Sequence, residues 1–163
     1  TTSSPLLLKK FISCGYGNMK NNLFLSDKIE IRTVNDRRGV FCTMDIAKGE
    51  LIEESHLILL DNNKWEECDK KLLEHAFPWP ELRADWKDFC DEHGGILAIH
   101  ATRPVIILGY GMIYGRGKDY NMEYKIEKKL FACHFTARCD IKVDEELLLT
   151  QGDIEKQNER QST

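Results

Sequence analysis

The chain has 163 residues, 42% of them hydrophobic and 31% charged, with a formal net charge of −4 and a pI near 5.8. That length supports one domain with its own core, and the apolar content is too high for a disordered chain. The acidic balance excludes the basic stripe of a nucleic-acid binder, because Lys9-Lys10, Arg37-Arg38 and Lys128-Lys129 are only short pairs.

Residues 1–28 mix Ser, Asn and Gly with scattered apolar residues and read as an irregular leader without a signal-peptide layout. Ile29 and Ile31 then alternate with Glu30 and Arg32, as in a half-buried strand, and Gly39-Val40-Phe41 opens a second one. After the turn signal Ala47-Lys48-Gly49, residues 50–60 are strand formers ending in Leu57-Ile58-Leu59-Leu60.

The period changes at Asp61-Asn62-Asn63, which supplies capping side chains, and Trp65, Cys68, Leu72 and Ala76 recur at helical spacing. Pro78 and Pro80 interrupt that helix, and Pro80 suits the first turn of another with Leu82, Trp86 and Phe89 on its apolar face, ended by Gly94-Gly95. Strands are predicted again over 96–99 and 105–108, at Met122, Tyr124 and Ile126, and over 130–137; the tail 154–163 is polar.

Six cysteines (Cys14, Cys42, Cys68, Cys90, Cys133, Cys139) form no C-x-x-C pair, so reduced thiols in a cytoplasmic or nuclear protein are expected. Cys90 and His93 share a C-x-x-H spacing, but with no second pair no metal site is expected. The longest apolar runs are too short to span a bilayer. Glu53-Glu54 and Glu145-Glu146 lie beside turns and read as solvated charges, and His134 reads as a surface-facing imidazole on a strand. Gly15-Tyr16-Gly17 lacks the helix signal of a phosphate loop.

One internal echo stands out. Asp45-Ile46-Ala47-Lys48-Gly49-Glu50-Leu51 is answered by Asp140-Ile141-Lys142-Val143-Asp144-Glu145-Glu146-Leu147, each following a strand that contains Phe41 or Phe135. In both, an Ile enters the core, a tight turn follows and a Leu re-enters.

The order of these pieces resembles the SET family. The opening Gly-rich strand and D-I-x-x-G-E turn correspond to 37–41 and 45–50. The G-x-G-S-L-Y-N-H-S-x-x-P-N block corresponds to 109–121, and the closing R-D-I-x-x-G-E-E-L-x-x-x-Y-G to 139–152. The resemblance implies a mainly β SET-domain fold over 29–153, with several small sheets around a knot-like C-terminal crossing and a helical insert at 61–95.

It also implies an S-adenosylmethionine-dependent protein-lysine methyltransferase, with the cofactor and a lysine-bearing protein or peptide entering from opposite sides and no nucleic acid or membrane partner. A homodimer is compatible with such a compact domain. In such enzymes the amine attacks the sulfonium methyl in line, so positioning and delivery of a neutral amine carry the catalysis. By this resemblance Arg38, Gly39 and Val40 offer backbone contacts to the cofactor, and Tyr114, Gly115 and Arg116 flank it. Gln151 stands at the catalytic tyrosine position.

The departures cluster at the site. Gln151 has an amide where the family has a phenol. Gly115 replaces the asparagine whose side chain holds the cofactor's amino-acid end; Arg116 replaces a histidine and Gly117 a serine. Arg37 replaces the first glycine of the opening block, and Asp144 a turn glycine, where aspartate tolerates left-handed backbone. Asn121, Gly39, Gly111 and Gly152 match. Arg116 reads either as a cation laid on the adenine face or as a solvated loop residue. Three readings follow: a methyltransferase with a divergent site, a SET-fold interaction module that no longer catalyses, and an unrelated β-rich domain with similar turns.

Overall fold

The computed structural model describes residues 23–60, 68–82 and 102–151. Within them the chain is mainly β. Strand β1 (Phe24–Leu25) is followed by a hairpin of β2 (Ile29–Val34) and β3 (Arg37–Cys42). Val34 pairs with Arg37, leaving Asn35 and Asp36 as a two-residue turn at φ +52° and +62°. Both values are positive, as a type I′ turn requires, and Asn and Asp adopt them at lower cost than most residues. The alternation of Ile29 with Ile31 is only half realised. Ile29 is buried, whereas Ile31 is 37% exposed on the outer strand of this two-stranded sheet; its partner Val40, on the inner strand, is fully enclosed.

Strand β4 (Leu51–Leu59) changes partners along its length. Its first part pairs with β1 and with β9 (Ala132–Ala137), and its last three residues pair with β6 (Pro104–Ile107). With β5 (Phe77–Pro78) and β8 (Met122–Glu127) this builds a sheet in the order β5-β6-β4-β9-β8. Pro78 fits because β5 is an edge strand. A separate parallel pair joins β7 (Gly115–Gly117) to β10 (Leu148–Thr150).

Of the predicted first helix, the described residues hold one short turn, α1 (Lys70–Leu73), capped by the Asp69 carboxylate, which accepts from Leu72 N at 3.1 Å. Its expected apolar stripe does not anchor it. Leu72 is 38% exposed, and the burial falls on Ala76, Phe77 and Trp79 beyond the helix. The capping residues 61–63, the second helix and the strand at 96–99 lie outside the described residues.

The core is built on the large sheet. Phe77, Tyr114, Tyr124 and Phe135 form an aromatic cluster, with Phe77 and Tyr124 edge to face at 4.8 Å and Tyr114 5.1 Å from Phe135. Ile46 and Ile141 are buried against one another and joined by main-chain bonds, so the two echoing turns pack together.

Candidate functional site

Main-chain bonds bring the three motif blocks together. Leu147 N donates to Val40 O at 2.8 Å and Cys42 N to Glu145 O at 2.9 Å, which stitches the last block to β3. In β7 and β10, Gly115 is level with Leu148 and Arg116 with Leu149. Asn121 clasps the crossing segment with its side chain: Nδ2 donates to Glu146 O at 2.9 Å, and Oδ1 accepts from Leu148 N at 2.8 Å. The clasp holds both ends of the amide with main-chain partners, one bond donated and one accepted, which ties the crossing segment to Asn121.

Two glycines and one carboxylate pack together at a single junction. A Cβ on Gly39 would collide with Glu146 Oε1, and a Cβ on Gly115 would stand 2.9 Å from the same oxygen and 3.1 Å from Arg37 Nη1. Only residues without side chains allow a carboxylate to lie against both backbones. Arg37 answers it with Nη2 hydrogen-bonded to Oε2 at 2.9 Å and Nη1 2.9 Å from Oε1. The second contact has the distance of an ion pair but not the alignment of a hydrogen bond, so Oε1 is buried without a hydrogen-bond donor. Glu146, expected to be solvated, is instead 18% exposed in its side chain, because the crossing carries it inward.

The other candidate residues stand in different ways relative to this junction. Arg38 is exposed on β3, and Val40 is wholly buried with its carbonyl taken by Leu147. Tyr114 turns inward; its hydroxyl donates to Glu53 Oε1 at 2.9 Å, and burial beside that carboxylate pushes its pKa well up. Gln151 is exposed and directly follows β10. Gly152 lies outside the described residues.

Arg116 is neither a solvated loop cation nor turned toward open space. Its guanidinium lies 4.7 Å from the centre of the Phe77 ring and donates to the carbonyls of His75 and Ala76, each at 3.2 Å. Burial lowers its pKa, and no carboxylate among the described residues offsets that effect. It ties β7 to the start of β5.

Sequence reasoning missed two buried acids besides the partly buried Glu146. Glu53 and Glu54 are 2% and 6% exposed, because β4 lies inside the sheet and both of its faces are covered. Glu53 accepts from Tyr110 N at 2.8 Å, Ser55 Oγ at 2.7 Å and the Tyr114 hydroxyl, a set that stabilises a charge removed from water. A side chain on Gly109 would collide with this group, so the first glycine of its block serves packing. Glu54 faces His134 across the sheet, with Oε2 2.8 Å from Nε2; the imidazole is half-buried against an acid and does not face open solvent. Consecutive acids in a run bounded by Leu51-Ile52 and Leu57 were the available signal.

What the arrangement can do chemically follows from this junction. Backbone from two separate blocks, one underused carboxylate oxygen and one guanidinium converge there, which suits a polar ligand bearing both charges. The residues therefore fit a group with a zwitterionic end.

Comparison with known proteins agrees with this layout. The SET domain family model matches residues 37–150. A candidate histone methyltransferase from Plasmodium falciparum has a similar structure at 21% identity and a TM-score of 0.52, covering 78% of this chain and 96% of that one. The Neurospora SET domain protein DIM-5, a histone lysine methyltransferase, is similar at 17% identity and a TM-score of 0.50, over 76% of this chain and 52% of that one. No curated protein matches the sequence. A family match spanning well over half of the chain, on strands that join the same three blocks, means that this protein belongs to the SET-domain family.

Proposed function

We propose that this SET domain, acting within residues 29–153 and with 61–95 as its insert, is an S-adenosylmethionine-dependent protein-lysine N-methyltransferase with an altered site. The carrying observation is the convergence of Gly39, Gly115 and Glu146 at one junction, with Gln151 directly following β10, the strand paired with β7. The proposed substrate is a lysine of a protein or peptide, and the proposed setting is intracellular. The solved structures named above are described as histone methyltransferases, which supports that class of acceptor.

When bound, the cofactor supplies an electrophilic methyl on sulfur. The protein's part is to exclude water, align the acceptor and favour its neutral amine, since a free lysine has a pKa near ~10.4. The Gln151 amide oxygen can accept one hydrogen bond from that amine. It lacks the phenol's ring, so the alignment it gives is looser.

A second reading is favoured by a specific observation: the Arg37 and Glu146 side chains already pair with each other. In that reading the domain is an interaction module without catalysis. A thermal melt with S-adenosylhomocysteine separates the two. At a hundredfold excess over the dissociation constant, binding stabilises by about 2.7 kcal/mol and raises the midpoint by several degrees. An unmoved midpoint at saturating concentrations would favour the module.

A further inference from the structure

We infer that Arg37 and Glu146 together hold the amino-acid end of the methyl donor, supplying from a side-chain pair what Gly115 has no side chain to supply. The inference rests on the donor-binding reading above and assigns residues within it.

Position carries the first part of the argument. Arg37 Nη1 lies 3.1 Å from where a Cβ of residue 115 would be, so the guanidinium occupies the space which a longer residue there would fill. It arrives from β3, because residue 37 is itself an arginine rather than a glycine.

Charge carries the second part. The amino-acid end of the donor bears an ammonium and a carboxylate, the mirror of the Glu146 carboxylate and the Arg37 guanidinium. Glu146 Oε1 is buried and lacks a hydrogen-bond donor, so it retains acceptor capacity that an ammonium would meet. Arg37 is 56% exposed in its side chain, so it can rotate from Oε1 toward an incoming carboxylate without disturbing the core. Glu146 stays in place because its main chain is bridged to Phe41 and clasped by Asn121. In the free protein the two side chains neutralise one another; with ligand, each takes the opposite charge.

The ligand class is thus a nucleoside thioether carrying an intact α-amino acid, and the test compares two such nucleosides. Binding of S-adenosylhomocysteine and of 5′-methylthioadenosine, which lacks the amino-acid end, is measured by calorimetry on the wild type, Arg37→Ala, Arg37→Lys and Glu146→Gln. Losing a hydrogen bond to a charged group weakens binding by about tenfold to a hundredfold, so Arg37→Ala and Glu146→Gln should lose that much affinity for S-adenosylhomocysteine alone. Their affinity for 5′-methylthioadenosine should stay within about twofold, and Arg37→Lys should keep part of the selectivity.

Equal weakening for both nucleosides, or none for either, overturns the assignment while leaving donor binding intact. If the wild type binds neither nucleoside, the assignment and the donor reading fall together. Melting curves of each variant without ligand confirm that the comparison is made on folded protein.

Discussion

Ile46 and Ile141 hydrogen-bond to each other in both directions, N to O at 2.8 Å each way, and are 1% and 0% exposed. The pairing is the centre of an approximate two-fold relation between the echoing turns. Asp45 Oδ1 accepts from Val143 N and Asp140 Oδ1 accepts from Lys48 N, each at 2.8 Å. Gly49 N donates to Ala137 O, and Asp144 N to Cys42 O, again at 2.8 Å each. Each turn is therefore capped by the other, and the second one delivers Glu146 to Gly39 and Gly115.

The two turns use the same backbone with different residues, Gly49 at φ +84° and Asp144 at φ +67°. Gly49→Ala should destabilise by about 1 kcal/mol, because a Cβ is strained in that region even with open space around it. Asp144→Gly should leave the urea midpoint unchanged or raise it, since the exposed pair with Arg32 contributes little and the strain is relieved. Equal losses in both variants would refute the equivalence of the turns.

Tyr114→Phe should destabilise by about 1–3 kcal/mol. The change removes one of the hydrogen bonds to the Glu53 carboxylate and leaves a buried acceptor short of a donor. Ser55→Ala removes another and should cost a similar amount. Because both act on one acid, the double variant should lose less or more than the sum, and a strictly additive result in denaturant titrations would mean that the bonds are independent.

Much of this fold could be read from local pattern. The D-I-x-x-G-E echo named both turns, and the alternation of Met122, Tyr124 and Ile126 located β8, because each depends on residues near in sequence. Asp144 was anticipated as left-handed for its small polar side chain, and its φ is +67°. The Glu146 and Arg37 contact was not legible, since 109 residues separate the partners and only the crossing of the last block brings them together. Arg116 was misplaced for a similar reason: its partners, Phe77 and the carbonyls of His75 and Ala76, lie in the insert, where the family pattern gives no register. Glu53 and Glu54 were read as solvated because a strand's burial depends on its neighbours in the sheet.

His75 gives the fold a pH dependence of known sign. Burial first, then the positive charges of Arg116 and Lys71, hold its imidazole below the ordinary 6.5. The unfolded chain therefore takes up the proton first on acidification. The stability His75 contributes is complete above pH 6.5 and is lost as the pH falls through the lower folded value. The urea midpoint of His75→Gln should fall less between pH 7.5 and 5 than that of the wild type, all titrations being run at the same ionic strength. Parallel slopes would exclude His75 as a contributor.

Gln151→Tyr tests the catalytic position directly. A phenol there would add an oxygen held on a rigid ring directly after β10, where an amide on a flexible stem now stands. One well-aligned hydrogen bond at the reacting amine is worth about tenfold or more, so methyl transfer to a mixed lysine-peptide pool should rise by at least that factor. Affinity for S-adenosylhomocysteine should be nearly unchanged, because the substitution leaves the Arg37 and Glu146 pair intact; measuring both separates a gain in alignment from a gain in donor binding. A rate that stays flat while the nucleoside still binds would remove position 151 from the chemistry and leave the interaction module as the better account of the domain.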